Sequence, residues 1–343
     1  MSAYNGNDGR DASHLDALVA ARRWLDEHDA VAIASVAATW GSSPVPVGGQ
    51  MAVAGEDRFQ GSVSGGCVEN DVIVAALDVI ATGQPQLLNF GVSNETAWQS
   101  GLPCGGSITI LIARLTREQG IPLLDELLGL QARRAPSVVV TDTATGDIRL
   151  YREGDGLPAW AAYARARGES RLAEREDGGQ EFVHLLTPPP RIVVVGATHI
   201  AQHLVTMLDL VGYDCIVVDP RTAYASQERF AGSSILAQWP DDALPALALD
   251  PYSALVAVSH NPDIDDAALR HALSAGVFYV GALGSKRNHA RRRERLAASG
   301  VTPAAIDRIR APIGLDIGAH GAAEIAASIL AEIIAAFRNK LRA

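Results

Sequence analysis

Two of the three cysteines in the sequence stand beside glycine pairs, and this setting makes them candidates for chemistry. Gly65-Gly66 precedes Cys67, and Gly105-Gly106 follows Cys104. Glycine backbone leaves room around a sulfur atom, and a thiolate binds soft metals such as molybdenum or carries sulfur. An alternative stays open, in which both are small buried residues of tight turns. Glu69 falls in the first turn of the following helix, where its carboxylate would complement the helix dipole.

A second group of candidates follows an unbroken apolar strand in the C-terminal half. Gly196, Thr198 and His199 open a helix, whose first N–H groups and dipole attract phosphate. Asp219 ends the next apolar strand, 219 − 196 = 23 residues after the first glycine. A spacing of about 20 residues places a carboxylate on a ribose hydroxyl, and Arg221 could accommodate a 2′-phosphate. Because Thr198 replaces the middle glycine of the fingerprint, the pattern predicts the fold rather than a bound dinucleotide.

A second glycine turn lies further along the chain. Gly284, Ser285, Lys286 and Arg287 follow a strand and open a helix. Amides at a helix start, together with two basic side chains, predict a cradle for an anion. The arginines that follow are interleaved with Glu294 and are predicted to form a solvated helix face: Arg291, Arg292, Arg293 and Arg295.

Histidines supply two further hypotheses. His260 and Asp265 leave the carboxyl end of a strand, where open α/β sheets bind ligands. They are the catalytic candidates, either as an acid/base pair or as groups that only orient the loop. His199 and His203 are four residues apart on one helix and could hold a metal. Without an evident third ligand, the pattern favours a His199 that faces a phosphate.

These residues need elements that position them. The run Arg191–Val195, a helix after His199 and the strand Cys215–Val218 form the opening βαβ unit of a dinucleotide-binding fold. Strands and helices then alternate to the end, which predicts a doubly wound parallel sheet. The sequence therefore predicts an α/β protein whose C-terminal Rossmann-like domain follows a smaller α+β N-terminal domain. Three prolines from Pro188 form a stiff joint, with the domains at 1–187 and 188–343.

Two other stretches are assigned from their composition. Residues 154–179 are charged and alanine-rich, so this stretch is expected to be mostly solvated. The last helix carries one apolar stripe formed by Ile325, Ile329, Ile333 and Phe337. Cys215 lies inside an apolar strand and is expected in the core.

Composition narrows the functional class. A chain of 343 residues with a net charge of −10 fits two globular domains and disfavours nucleic acid or an anionic membrane as partner. No apolar run reaches the roughly 20 residues that cross a bilayer. Three cysteines, an odd number, suit a reducing cytosol, so the protein is expected to be soluble and cytoplasmic.

Several motifs in fixed order resemble the XdhC/CoxI family, the accessory proteins of molybdenum hydroxylases such as xanthine dehydrogenase and carbon monoxide dehydrogenase. In the first half these are G-S-S-P from Gly41, G-S-V-S-G-G-C-V-E from Gly61 and P-C-G-G from Pro103. In the second half they are D-P-R from Asp219, G-A-L-G-S-K-R from Gly281 and P-I-G-L-D-I-G-A from Pro312. The resemblance covers nearly the whole chain.

The resemblance implies a molybdenum cofactor chaperone. Such a protein binds the finished cofactor, in its mono- or dinucleotide form, supports its sulfuration with a cysteine desulfurase and delivers it to an apo molybdenum hydroxylase. It has no turnover of its own, and we expect a homodimer. The competing hypothesis is an NAD(P)-dependent oxidoreductase built on the βαβ unit and on His260 and Asp265. A metal hydrolase that uses His199 and His203 is the third.

Overall fold

The structure is a computed structural model that describes residues 14–41, 43–91 and 106–342. The chain divides into two compact units, which we call the front unit (residues 14–188) and the Rossmann-like unit (Pro189–Leu341). Within the described residues, no helix is both long and apolar enough to cross a membrane.

The first part of the front unit is an antiparallel sheet of five strands. Its elements are α1 (His14–Trp24), β1 (Ala30–Trp40), β2 (Gln50–Gly55), β3 (Arg58–Gly61), α2 (Glu69–Thr82), β4 (Gln86–Phe90), β5 (Ser107–Thr116) and α3 (Arg117–Ala132). The strand order is β3-β2-β1-β5-β4. Alternate residues of β1 face opposite layers, so Ala34 packs with Val72 of α2 while Ile33 packs with Leu124 of α3. The sheet is thereby covered by helices on both faces.

The second part of the front unit is a separate antiparallel sheet of four strands. It comprises β6 (Ser137–Asp142), β7 (Ile148–Arg152), α4 (Ala159–Ala166), β8 (Arg171–Glu174) and β9 (Gln180–Leu186), in the strand order β7-β6-β9-β8. The structure differs here from the expected solvated stretch at residues 154–179, because α4 and β8 lie within it. Ala161 and Ala164 are fully buried. Small alanine side chains carry little hydrophobic signal, which explains why the pattern did not reveal this helix.

The Rossmann-like unit confirms the predicted doubly wound parallel sheet. Its elements are β10 (Arg191–Val195), α5 (His199–Leu210), β11 (Asp214–Val218), β12 (Ser234–Leu236), α6 (Pro240–Leu247), β13 (Ser253–Ala257), α7 (Pro262–Ala275), β14 (Tyr279–Ala282), α8 (Lys286–Ala298), α9 (Pro303–Ile306), β15 (Ile309–Arg310) and α10 (Gly321–Arg342). The strand order β12-β11-β10-β13-β14-β15 is that of a dinucleotide-binding fold, 3-2-1-4-5-6.

Both faces of this parallel sheet are buried. Val193 of β10 packs with Leu269 of α7 on one face, while Val194 packs with Leu204 of α5 on the other. The predicted stripe on α10 covers that second face, with Ile329 and Ile333 fully buried. This stripe therefore serves the core of its own unit. The carboxyl ends of β10, β13 and β14 carry the residues that the sequence singled out.

Candidate functional site

The Glu69 carboxylate, at the start of α2, accepts the hydrogen bonds that hold the loop between β3 and α2. Its oxygens accept six hydrogen bonds, from Ser62 Oγ (2.6 Å), Val63 N (3.2 Å), Ser64 N (2.9 Å), Ser64 Oγ (2.5 Å), Gly66 N (2.9 Å) and Val68 N (3.2 Å). A carboxylate offers about four lone-pair positions, so the loop uses its whole acceptor capacity. Burial raises the pKa of Glu69, but the hydrogen bonds from Ser62 and Ser64 outweigh it and lower the pKa to about 2. Glu69 is thus ionised and engaged by its own loop.

Cys67 lies on the same loop with its side chain exposed. Its amide donates to Ser64 Oγ at 2.9 Å, and the thiol is free. Gly65 and Gly66 have φ angles of +82° and +108°, which favour glycine, and a Cβ at Gly66 would meet no atom within 4 Å. The loop therefore presents one sulfur atom at an open surface on a fixed backbone. Cys104, the other predicted sulfur ligand, lies outside the described residues.

The third cysteine is part of the core, as expected. Cys215 in β11 packs against the sheet face that α5 and α10 cover. Burial raises the pKa of its thiol to about 12. This thiol therefore stays protonated near neutral pH and serves as a control for Cys67.

In the Rossmann-like unit, the turn after β10 is fixed by close packing. Gly196 has φ +107°, and a Cβ there would lie 2.4 Å from both Cα and N of Ser259. Thr198 is the N-cap of α5, since its hydroxyl accepts a hydrogen bond from the amide of Ala201 at 3.4 Å. The threonine that replaces the middle glycine of the fingerprint thus has a structural role.

His199 stands exposed in the first turn of α5. Its Nδ1 lies 3.2 Å from Gln202 Oε1, and its ring meets that of His203 edge-on, with centroids 4.7 Å apart. Among the described residues, no group of three His, Cys, Asp or Glu side chains could hold a metal ion. In the structure, the two histidine rings contact each other at the start of α5.

Asp219 is fully buried just after β11, and its carboxylate accepts hydrogen bonds from two residues, Arg221 and Ala197. Oδ1 accepts from the Arg221 amide and from Arg221 Nε, both at 2.9 Å. Oδ2 accepts from the Ala197 amide at 2.8 Å and from Arg221 Nη2 at 2.7 Å. Burial raises the pKa of Asp219, but these hydrogen bonds and the Arg221 charge lower it overall. A ribose hydroxyl would find an acceptor here only if Arg221 moved away.

Of the predicted acid/base candidates, His260 lies on the loop between β13 and α7, and Asp265 lies in the first turn of α7. Asp265 is buried, and its Oδ1 accepts from Ser259 Oγ at 2.6 Å and from the Ser259 amide at 3.2 Å. Its burial raises its pKa. His260 is exposed and adopts the left-handed conformation, with φ +61°. Asp265 thus holds the backbone and side chain of Ser259, while His260 is exposed on the loop.

The second glycine turn precedes α8. Gly284 has φ +131°, and Ser285 caps the helix by accepting a hydrogen bond from the Asn288 amide at 3.3 Å. Lys286 and Arg287 are exposed in the first helical turn. The glycine turn and the two basic residues of the predicted anion cradle thus lie just after the carboxyl end of β14.

A cavity of about 210 Å³ joins some of the predicted residues, namely His260, Asp265 and Gly284. The rest of its polar lining comes from α8, through Asn288, Arg291, Arg292 and Arg295. The prediction of a solvated face is wrong for Arg292, which is only 6% exposed. The spacing i, i+3, i+4, i+7 of these four polar residues marks one helix face, and that periodicity was the signal that could have identified them. The charge of the arginines, considered alone, predicts that their side chains are exposed to solvent.

Other predicted residues lie elsewhere. Ser285, Lys286 and Arg287 adjoin this cavity in sequence but do not line it. The residues at the ends of β10 and β11 form a separate group in the same unit: Gly196, Thr198, His199, Asp219 and Arg221. Cys67 and Glu69 belong to the front unit.

The fold and these sites define a class of two-unit proteins, in which an α+β unit with a thiol-bearing glycine loop precedes a Rossmann-like unit. The profile of the XdhC and CoxI family matches residues 24–91, and that of the XdhC Rossmann domain matches residues 192–333. The chain belongs to the XdhC/CoxI family.

Three similar proteins align along most of their length. One is described as a probable subunit of xanthine dehydrogenase from Bacillus subtilis (strain 168), 26% identical over 93% of this chain and 95% of its own. Another is the molybdenum cofactor insertion chaperone PaoD of Escherichia coli (strain K12), 28% identical over 85% of this chain and 79% of its own. A crystal structure described as a xanthine dehydrogenase from Bacillus halodurans matches with a TM-score of 0.70, 25% identity and 96% coverage of both chains.

Proposed function

We propose that this protein is a molybdenum cofactor chaperone, which holds the finished cofactor and inserts it into an apo molybdenum hydroxylase of the xanthine dehydrogenase type. The strongest support is family membership together with the alignment to the insertion chaperone PaoD over 85% of this chain. The proposed activity has no turnover of its own, because the cofactor is cargo that leaves with the hydroxylase. The proposal includes support for sulfuration of the cofactor, with a cysteine desulfurase as a second partner.

In the front unit, Cys67 is the residue proposed to contact the molybdenum or its labile sulfur. Its thiol is exposed, and its backbone is fixed through Ser64, which Glu69 holds in turn. Molybdenum with sulfur ligands is a soft centre, which suits a thiolate partner. Glu69 is proposed to position this loop rather than to bind the cargo. Cys104 is proposed as a second sulfur contact on the sequence motif alone.

In the Rossmann-like unit, the two glycine turns are proposed to receive the phosphate end of the cofactor. Thr198 and His199 stand at one helix start, and Gly284 to Arg287 stand at the other. Helix N-termini attract anions through their N–H groups and dipole. The phosphate groups that the Rossmann-like unit binds, single or bridging, determine whether the cargo is the mono- or the dinucleotide form of the cofactor.

The test of the proposal is cofactor loading. The protein is purified from a host that makes the cofactor, and released pterin is measured by its fluorescence. We expect pterin with the wild type and with Cys215→Ala, whose side chain is partly buried and packs against the core. We expect little with the Cys67→Ala/Cys104→Ala double variant. Absence of pterin in the wild type would count against the function, and equal loading of the double variant would count against the thiol roles.

The NAD(P)-dependent oxidoreductase hypothesis has one observation in its favour, the strand order of a dinucleotide-binding fold. The Asp219 carboxylate argues against it, because Arg221 and Ala197 occupy its acceptor positions. Calorimetry with NAD and NADP decides this point. Saturable binding tighter than about millimolar would revive the oxidoreductase hypothesis.

We also propose a cytoplasmic location and a homodimer. An exposed free thiol such as Cys67 persists in a reducing compartment. Exposed apolar side chains on the Rossmann-like unit, Leu210, Leu315 and Ile317, are available for contacts with the hydroxylase or with a second copy. The mass of the protein in solution, alone and with the apo-hydroxylase, tests these partners.

A further inference from the structure

Arg292 is buried in α8 with part of its hydrogen-bonding capacity unused. The residue is 6% exposed, and its Nη2 donates to the carbonyl of Leu283 at 2.9 Å. Within the part of the chain that the structure describes, Nε and Nη1 have no hydrogen-bond partner. A buried charged group with unsatisfied donors is costly, which makes such a group a strong attractor for an acceptor.

The neighbouring carboxylates balance the charge of Arg292 without satisfying its donors. Asp265 Oδ2 lies 3.7 Å from Nη2, and Asp266 Oδ1 lies 3.8 Å from Nε. Both distances exceed the roughly 2.7–3.2 Å of an N–H···O hydrogen bond. These carboxylates are also committed elsewhere, Asp265 to Ser259 and Asp266 to Arg295. Nε and Nη1 therefore remain without an acceptor inside the described part of the chain, at a residue that lines the cavity.

We propose that the cavity beside α8 is a phosphate-binding site, with Arg292, Arg291 and Asn288 as its recognition residues. All three line the cavity of about 210 Å³, and Arg291 is exposed at its edge. A guanidinium presents a planar set of donors that matches phosphate oxygens in pairs. The side-chain amide of Asn288 adds two N–H donors. Asn288 lies in the first turn of α8, and Arg291 and Arg292 lie in its second turn.

The size and place of the cavity fit one end of a larger ligand. Complete small-molecule sites measure about 300–1,000 Å³, so a cavity of about 210 Å³ is suited to a phosphate group rather than to a whole cofactor. His260 and Gly284 place the cavity at the carboxyl ends of β13 and β14, the edge where open α/β sheets bind ligands. The assignment of a phosphate site stands on this geometry alone. Its identification as the seat of the pterin phosphate rests on the proposed function.

The experiment is calorimetric titration of the full-length protein with inorganic phosphate and, separately, with pyrophosphate. The variants are Arg292→Met, Arg291→Met and the matched control Arg293→Met, which removes the same charge from the same helix. Arg293 pairs with Asp307 at 2.7 Å and does not line the cavity. We expect saturable binding in the wild type, a loss of about tenfold or more in Arg291→Met and Arg292→Met, and a change of less than about twofold in Arg293→Met.

Several results are informative beyond that pattern. Tighter binding of pyrophosphate indicates the bridging phosphates of a dinucleotide, and tighter binding of orthophosphate indicates a terminal phosphate. Because Arg291 is exposed, its variant keeps the test valid if Arg292→Met does not fold. Absence of saturable binding of both anions, or equal weakening by Arg293→Met, would overturn the phosphate site. Phosphate binding without pterin loading would instead count against the chaperone function alone.

Discussion

At the scale of single residues, two carboxylates organise the loops on which the proposed chemistry depends. Glu69 ties together the loop that carries Cys67, and Asp219 ties the turn after β10 to Arg221. Both carboxylates are ionised, because hydrogen-bond donors outweigh the effect of burial on each pKa. Their role is to hold backbone amides and a guanidinium in place. A carboxylate with this many internal partners is a positioning group.

We predict that Glu69→Gln lowers the free energy of unfolding of the front unit by about 1–3 kcal/mol at neutral pH. The amide keeps the size of the side chain but replaces one acceptor oxygen with a donor, so the amides of the loop lose partners. Chemical denaturation followed by circular dichroism measures the difference. The control is Glu56→Gln in the exposed turn between β2 and β3, expected within about 0.5 kcal/mol of the wild type. Equal stabilities of Glu69→Gln and the wild type would contradict the role of the carboxylate.

We predict that the difference in unfolding free energy between the wild type and Glu69→Gln depends on pH. The folded-state pKa of Glu69 is about 2, below its ordinary value of 4.5. The stabilisation is therefore complete above about pH 4.5 and is lost as the pH falls toward 2. The difference in stability between the wild type and Glu69→Gln should shrink as the pH is lowered from about 6 to about 3. A difference that stays constant across that range would show that the charge of Glu69 is not what holds the loop.

A third residue-scale prediction concerns the glycine after β10. Gly196→Ala should lower the free energy of unfolding of the Rossmann-like unit by more than about 3 kcal/mol, or prevent folding, because the new Cβ would meet Ser259 backbone at 2.4 Å. Gly300→Ala is the control. Gly300 also has a positive φ, +91°, but has open space around it, so strain alone should cost about 1–2 kcal/mol. Thermal and urea melts compare the two variants, and similar costs would refute the close packing.

At the scale of elements, the sequence predicts the strands and helices that have a clear apolar periodicity. It does not predict features that arise from packing. The apolar runs of β10 and β11 and the stripe on α10 are strong patterns, and the structure contains each of them. The sequence does not reveal the helix α4, because its alanines bury little apolar area. It does not reveal the burial of Arg292, because a charged side chain is normally expected to be exposed to solvent. The cap by Thr198 and the saturation of Asp219 and Glu69 depend largely on hydrogen bonds from backbone amides to these side chains. Hydrophobic periodicity along the chain does not encode these hydrogen bonds.

A contact between elements gives the fourth prediction. Glu332 of α10 accepts hydrogen bonds from the Tyr279 hydroxyl at 2.5 Å and from the Gly314 amide at 2.8 Å, which joins β14 and the loop before α10 to that helix. Tyr279→Phe removes a donor to a carboxylate and should cost about 1.5–3 kcal/mol. Tyr224→Phe keeps the ring that stacks on Arg221 and should cost less than about 0.5 kcal/mol. Urea unfolding measures both variants, and no excess cost in Tyr279→Phe would contradict this link.

At the scale of the whole molecule, each of the two units supplies different residues for the proposed function. The front unit offers an exposed thiol on a fixed loop, and the Rossmann-like unit offers glycine turns and a cavity lined by arginines. The chain has a net charge of −10, so the arginines of this cavity place positive charge, part of it paired with Asp265 and Asp266, on an acidic protein. Such a distribution suits an anionic small molecule as cargo better than a nucleic acid.

The measurement that bears most directly on this account is transfer of the cofactor. The protein is purified from a host that makes the cofactor and is mixed with an apo molybdenum hydroxylase, and the appearance of hydroxylase activity is followed over time. We predict activation by the wild type and equally by Cys215→Ser, with a rate lower by about tenfold or more for Cys67→Ser. A wild-type protein that yields no activity, or a Cys67→Ser variant that activates as fast as the wild type, would contradict a chaperone that acts through this thiol.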